Sequence, residues 1–231
     1  MKHYFKARND INVGGWNLRF LLMANGEYGE LSWYRPFKDG FDRIICIDGG
    51  TDQAMAMGMT PWWVVGDMDS ISEEATAYAA SRGAAFTVVP REKDNTDFQL
   101  ALELAEKDGA TSIIVWGGIG TRLDHSLSNL FSATRLVLQG IEVCFRSPRE
   151  DVYLVSRHLV VPGKVGDTVS LITLGDEAGG ITLRGFQYPL ADAVLDGRWQ
   201  CAVSNVIVEP YPEVEVGSGV VAVIHYQGEL P

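Results

Sequence analysis

The sequence predicts an α/β protein with a parallel, Rossmann-like sheet flanked by helices over residues 1–147. A small all-β sandwich is expected over residues 148–231. Three observations support this. Apolar, β-rich runs alternate with helical segments through the first part of the chain, which is the pattern of a parallel sheet covered on both faces by right-handed crossovers. Most of these runs stop at a carboxylate or at glycines. Beyond Ser147 and Pro148 the β-rich runs follow one another with no amphipathic helix between them, as in two packed antiparallel sheets.

Residues 1–17 are weakly patterned and read as an edge strand or an irregular lead-in. Leu18 to Met23 is the first clear strand, ending at the turn residues Asn25 and Gly26. Arg43 to Ile47 follows, closes on Asp48, Gly49 and Gly50, and leads into a helix from Thr51 to Met57. The third strand, Trp62 to Val65, ends in Gly66, Asp67, Met68, Asp69 and Ser70, with a helix expected over Ile71 to Arg82. Ala85 to Val89 is the fourth. After a charged loop containing Lys93, Asp94 and Asp97, Phe98 to Lys107 forms a helix with Phe98, Ala101, Leu102 and Ala105 on one face. Ser112 to Trp116 runs into Gly117, Gly118 and Gly120. A helix from Leu123 to Gln139 then carries Leu127, Leu130, Phe131 and Leu138 along one stripe, and Ile141 to Phe145 closes the series. The later runs are Asp151 to Val161, Asp167 to Leu174, Gly180 to Arg184, Gln200 to Val208 and Gly219 to Tyr226.

The chain is 46% apolar, enough to bury a real core, and its 19 basic and 30 acidic residues leave a net charge of −11. That balance disfavours a nucleic-acid backbone or an anionic membrane as partner and favours a cation, or an anion bridged by a metal. Cys46, Cys144 and Cys201 lack metal-ligand spacing and lie in strand-like surroundings, so buried free thiols are expected. Neither a signal peptide nor a membrane-spanning run is evident, and a cytoplasmic location is expected.

The chemistry concentrates at strand ends. A parallel sheet brings Asp48, Asp67, Asp69, Asp94 and Asp97 to one edge, where such folds bind ligands. Two carboxylates one residue apart repel unless a cation intervenes, which points to a hard divalent ion such as Mg2+. Helix capping competes with this reading: Ser70 with Glu73 and Thr96 with Gln99 both have capping-box spacing, and Asp48 stands before a helix. Lys93, Arg122 and the amides of Gly117, Gly118 and Gly120 are suited to phosphates, although the loop matches neither the P-loop nor the dinucleotide fingerprint. His125, alone in the first turn of a helix, reads as structural. Tyr188 and Trp199 read as sandwich core or surface unless a flat ligand binds there.

Taken together, N-G-E at 25–27, D-G-G at 48–50, G-D-x-D-S at 66–70, K-D-x-T-D at 93–97 and R-L-D-H at 122–125 closely resemble the thiamine pyrophosphokinase family. G-F-Q-Y-P-L at 185–190 and S-N at 204–205 resemble its second domain. The chain departs at Thr121, where the family usually has glycine, and over its first seventeen residues. The resemblance implies transfer of a diphosphoryl group from ATP to the hydroxyl of thiamine, releasing AMP, in a homodimer with sites between subunits. It implies Mg2+ held by Asp67, Asp69 and Asp97 with Asp48 nearby, phosphate contacts from Lys93, Thr96 and Arg122, and nucleotide contacts near Asn25 and Gly26. Asp124, Ser204 and Asn205 would address thiamine, with Tyr188 near its ring. Two alternatives remain open from the residues: a Mg-dependent phosphohydrolase or kinase for another small alcohol, and a non-catalytic thiamine or nucleotide-binding regulator.

Overall fold

The computed structural model describes residues 17–90, 92, 94–120 and 122–227; the lead-in before Asn17, Lys93 and Thr121 lie outside the described residues. β1 (Arg19–Met23), β2 (Arg43–Ile47), β3 (Trp63–Gly66), β4 (Ala85–Val88), β5 (Ser112–Trp116) and β6 (Glu142–Arg146) pair in parallel, in the order β6-β5-β1-β2-β3-β4. The chain moves outward from β1 to β4 and then returns to the other side of β1. The order therefore reverses between β1 and β5, and the loops after those strands part to form a crevice.

Alternation along each strand gives the sheet two cores. Phe20, Leu22, Ile45, Val65, Ile113 and Val115 pack against α3 (Asp97–Lys107) and α4 (Leu123–Leu138). Leu21, Met23, Cys46, Val64, Ile114 and Trp116 pack against α1 (Gly50–Ala56), α2 (Glu73–Ser81) and a 3-10 segment, Leu31–Phe37. The sequence gives no periodic signal for that last segment. The α3 stripe is buried as expected.

The α4 stripe is not. Leu127, Phe131 and Leu138 are 45%, 50% and 63% exposed, and Leu130 is only partly packed; the buried face carries Ser126, Asn129, Ala133, Leu136 and Val137. Ser126 and Asn129 are drawn inward by hydrogen bonds to the loop after β5, and this fixes the helix rotation. Helix α2 also starts later than expected, because Ser72 rather than Ser70 accepts the capping bond, from the Ala75 amide at 3.1 Å.

The all-β part is not a separate sandwich beside the parallel sheet. β7 (Glu150–Val155), β14 (Val221–Tyr226), β9 (Thr168–Thr173) and β12 (Asn205–Val206) extend it antiparallel into one ten-stranded sheet, in the order β12-β9-β14-β7-β6-β5-β1-β2-β3-β4. A second, four-stranded antiparallel sheet, β11-β10-β13-β8, packs on this extension. Its strands are β8 (His158–Val160), β10 (Glu177–Arg184), β11 (Leu190–Asp196) and β13 (Glu213–Glu215). In β14, Val221 and Val223 face the second sheet, whereas Ala222 joins the core beneath α3 and α4.

The run expected over Asp151 to Val161 divides at Ser156 between the two sheets. The run expected over Gln200 to Val208 yields only the two residues of β12. Cys201 therefore sits exposed in a loop, contrary to expectation, while Cys46 and Cys144 are buried free thiols. Strand β11 gives little sequence signal because it is a largely exposed edge strand with two aspartates. Among the described residues no helix is long and apolar enough to cross a membrane.

The switch from parallel to antiparallel pairing falls between β6 and β7, where Arg146 stands opposite Asp151. The two form a buried bidentate pair, Nε to Oδ1 and Nη2 to Oδ2 both at 2.9 Å, and the Tyr153 hydroxyl donates to Oδ2 at 3.0 Å. Removing one charge strands the other in the core. Asp151→Ala is expected to cost about 3–5 kcal/mol, measured as a lower urea midpoint at unchanged slope.

Candidate functional site

The crevice is built by loops that approach closer than side chains permit. Gly66 has φ +153°, and a Cβ there would overlap the Asp48 carboxylate. Gly117 has φ +66°, and its Cβ would enter the Tyr28 ring; the Tyr28 hydroxyl donates toward the carbonyls of Ala24 (2.9 Å) and Trp116 (3.2 Å) at the ends of β1 and β5. A Cβ on Gly26 would overlap the Gly117 carbonyl, and one on Gly49 the Asn25 amide oxygen. Asn25 and Gly26 thus touch the loops after β2 and β5, which brings the nucleotide-side residues of the sequence reading together.

Asp48 is 8% exposed and has φ +45°; its Oδ1 accepts from the Met68 amide at 3.2 Å. It does not cap α1: Gly49 holds the N-cap position of that helix without a side-chain bond, and the Asp48 carboxylate crosses to the loop after β3 instead. Burial pushes its carboxyl up to about 6. The Met68 bond opposes this, and the neighbouring charges of Asp97, Asp67 and Asp69 add to it. The four carboxylates predicted to hold a metal therefore share one electrostatic environment.

Asp67 accepts from the Asp69 amide at 3.1 Å, and Asp69 from the Ser70 hydroxyl at 2.7 Å, so Ser70 serves an acid rather than a helix end. Thr96 and Gln99 form the expected capping box, at 3.2 and 2.9 Å, and place Asp97 in the first turn of α3. Among the described residues no three acidic, cysteine or histidine side chains stand together as an ion-binding group. The chemistry of the donor set nevertheless fits a hard divalent ion: the charges of Asp97, Asp67 and Asp69 add to the burial that raises the proton affinity of Asp48, and a cation relieves that repulsion.

The loop after β5 is held from α4. The Ser126 hydroxyl accepts from the Gly120 amide at 3.1 Å, and Asn129 Nδ2 donates to the Gly118 carbonyl at 2.8 Å. The Gly120 amide, expected for phosphate, is thus already engaged. Sequence reasoning missed both residues; their signal was two polar side chains three apart on the core side of an amphipathic helix. Arg122 and Asp124 pair with each other through Nη2 and Oδ2 at 2.5 Å, and the guanidinium pushes the exposed Asp124 carboxyl down to about 2. His125 is exposed in the first turn of α4.

The second-domain residues gather elsewhere. Asn205 is buried and spends both ends of its amide on the Tyr188 backbone, accepting from N at 3.0 Å and donating to O at 2.8 Å, which fixes a Tyr188 that is 62% exposed. Ser204, with φ +58°, donates its amide to the Ser170 hydroxyl at 2.9 Å. Asn205 thus positions Tyr188, a role not readable from the S-N pair alone.

A family model described as "Thiamin pyrophosphokinase, catalytic domain" matches residues 35–145, and one described as "Thiamin pyrophosphokinase, vitamin B1 binding domain" matches residues 157–221. The chain belongs to the thiamine pyrophosphokinase family. A thiamine pyrophosphokinase of Bacillus subtilis (strain 168) is 25% identical over 205 residues, covering 88% of this chain and 96% of that one. The crystal structure of thiamine pyrophosphokinase from Bacillus subtilis superposes with TM-score 0.78 at 22% identity, covering 91% and 100% of the two chains. That of Candida albicans gives 0.73 at 18% identity, covering 91% and 90%. The catalytic-domain match of the thiamine pyrophosphokinase family contains Asp48, Asp67, Asp69, Asp97, Arg122 and Asp124, and its vitamin-B1 match contains Tyr188, Ser204 and Asn205.

The raised Asp48 carboxyl has a stability consequence of definite sign. Its proton is held more tightly folded than unfolded, so ionisation opposes folding. The penalty is absent below about pH 4, grows toward pH 6 and is full above it. Asp48→Asn keeps the acceptor for Met68 and removes the charge. In chelator at pH 7.5 the variant should be more stable than the parent by roughly 1–3 kcal/mol, with the gap closing near pH 4 in thermal melts.

Proposed function

We propose that the chain transfers the terminal diphosphoryl group of ATP to the hydroxyl of thiamine, giving thiamine diphosphate and AMP, as a homodimer in the cytoplasm. One observation carries this reading: the acidic crevice falls within the catalytic-domain match, and the Tyr188, Ser204 and Asn205 group falls within the vitamin-B1 match. The unit boundary near residue 147 accords with it, since the two matches end and resume at 145 and 157.

Asp67, Asp69 and Asp97, with Asp48 beside them, would hold Mg2+, which when bound offsets the triphosphate charge and polarises the transferred group. The remaining work belongs to the chain. Thr96 and the N-terminus of α3 face the phosphates with an orienting hydroxyl and a positive dipole end, and Lys93 adds a cation. Arg122 turns from Asp124 to the phosphates, which frees Asp124 for the cationic thiamine. Asn25 and Gly26, pressed between two loops, border the nucleotide. Tyr188, held by Asn205, offers a rigid ring to the flat substrate.

A distance supports the homodimer. In the ten-stranded sheet β12, which carries Asn205, is seven strand intervals from β2, which ends at Asp48. At ~4.8 Å per interval that is ~34 Å measured along the sheet, a spacing that favours a site shared between two copies. A second copy closes the gap by lending its vitamin-B1 unit to this crevice. The exposed apolar stripe of Leu123, Leu127, Phe131 and Leu138, directly after Arg122, supplies a face for that copy.

With ATP, Mg2+ and thiamine the protein should form AMP and thiamine diphosphate in equal amounts; ADP as the product would overturn the diphosphoryl transfer. Asp69→Asn is expected to lower kcat by about a hundredfold or more, with an unchanged circular dichroism spectrum. Mixing inactive Asp69→Asn with a Tyr188→Ala variant of low activity should restore about a quarter of parental activity. In a random mixture half of the dimers are mixed, and each carries one intact site. No recovery after subunit exchange would place the whole site within one chain.

A further inference from the structure

Helix α4 carries three polar side chains spaced three residues apart, Ser126, Asn129 and Ser132. Residues at that spacing are neighbours on a helix surface, so they form one continuous row from the first turn to the middle of the helix. Ser126 and Asn129 are buried and serve the loop after β5. The Ser126 hydroxyl accepts from the Gly120 amide and donates toward the Arg122 carbonyl at 3.0 Å, while Asn129 donates to the Gly118 carbonyl.

The third residue of the row reaches a different segment. The Ser132 hydroxyl accepts from Gln99 Nε2 at 3.1 Å. The other end of that amide, Oε1, accepts from the Thr96 N–H at 2.9 Å, which closes the capping box of α3. A capping box uses only the oxygen of its glutamine. Here the nitrogen is spent on α4, so the turn that presents Thr96 and Asp97 is tied to the same helix that holds Gly118 and Gly120.

These two attachments lie on opposite sides of the crevice. α3 packs against β2 and β3, whose ends carry Asp48, Asp67 and Asp69, and the Asp97 charge is felt at Asp48. The glycine loop follows β5, which is separated from β2 by β1. A further contact joins α3 and α4, the bidentate pair of Arg135 with Glu106 at 2.9 and 2.7 Å, but it stands near the C-terminal ends of both helices, away from the crevice.

We infer that Gln99, Ser126, Asn129 and Ser132 are positioning residues for the phosphate half of the reaction: through them α4 sets the spacing between the glycine loop after β5 and the start of α3. The inference rests on the reading of this crevice as an ATP site. The four residues act through Thr96, Asp97 and Arg122 rather than by touching substrate, so their effect falls on the nucleotide and not on thiamine. Placement matters because small displacements of groups that orient a reactant cost large factors.

Ser132→Ala is the decisive variant. Alanine is the better helix former, Ser132 is only partly buried, and the capping box itself is kept, so only the tie to α4 is lost. Mg-ATP binding measured by calorimetry should weaken about tenfold in Ser132→Ala and in Ser126→Ala, and KM for Mg-ATP should rise by about the same factor while KM for thiamine stays at the parental value. Ser132→Thr, which retains a hydroxyl, should restore Mg-ATP affinity. Because one spacing is at stake, releasing the second tie adds little: the double Ser126→Ala, Ser132→Ala variant should bind within about threefold of the weaker single variant, against about a hundredfold loss for independent sites. Arg135→Met, which breaks the α3–α4 pair away from the crevice, should leave Mg-ATP affinity unchanged. Parental affinity in Ser132→Ala, fully additive losses in the double variant, or an equal loss in Arg135→Met each overturns the inference and leaves the ATP reading standing. A parental protein that does not bind Mg-ATP overturns that reading, and the inference with it.

Discussion

The crevice depends on close backbone approach. The loops after β1, β2, β3 and β5 meet with no room for a Cβ at Gly26, Gly49, Gly66 or Gly117. At Gly66 the consequence is chemical as well as steric. The space a side chain would fill holds the Asp48 carboxylate, pulled out of solvent and across to the Met68 amide. A larger residue there would expel Asp48 from the group of acids. The raised carboxyl is the result of that placement, and it makes the site a local liability to the fold, as functional sites commonly are.

Much of this was legible beforehand, for a physical reason: parallel strands with glycine and aspartate at their ends leave few topologies open. The order of strands and helices, the α3 stripe and the Thr96 capping box all follow from local pattern. What could not be read depends on partners distant in sequence. Ser70 has the capping-box spacing on paper, and only the bond from the Ala75 amide to the Ser72 hydroxyl shows where the helix begins. Asp48 looks like a cap until the loop after β3 supplies a better donor. That the Asn205 amide bonds the Tyr188 backbone is invisible in the S-N pair. The weak period of β11 and the division of 151–161 between two sheets reflect tertiary placement that no window of sequence contains.

The continuous ten-stranded sheet changes what the two-part organisation means. A hinge between units would let Tyr188, Ser204 and Asn205 swing toward the crevice. Instead β6 and β7 are joined by register and by the buried Arg146–Asp151 pair, so the two halves are parts of one stiff element. Rigidity fixes the separation of the two halves within one chain.

The register of α4 ties the loop after β5 to an exposed apolar stripe. Ser126 and Asn129 must point inward to hold the loop of Gly117 to Gly120, and a helix advances 100° per residue. Leu123, Leu127, Phe131 and Leu138 then lie about a third of a turn round the helix, facing out. A helix free to follow hydrophobicity alone would bury those four residues and release the loop. The two polar residues decide the contest because unpaired buried groups in the loop would cost more than exposed leucines. The hydrogen bonds that hold the loop after β5 thus also leave an apolar face exposed on α4.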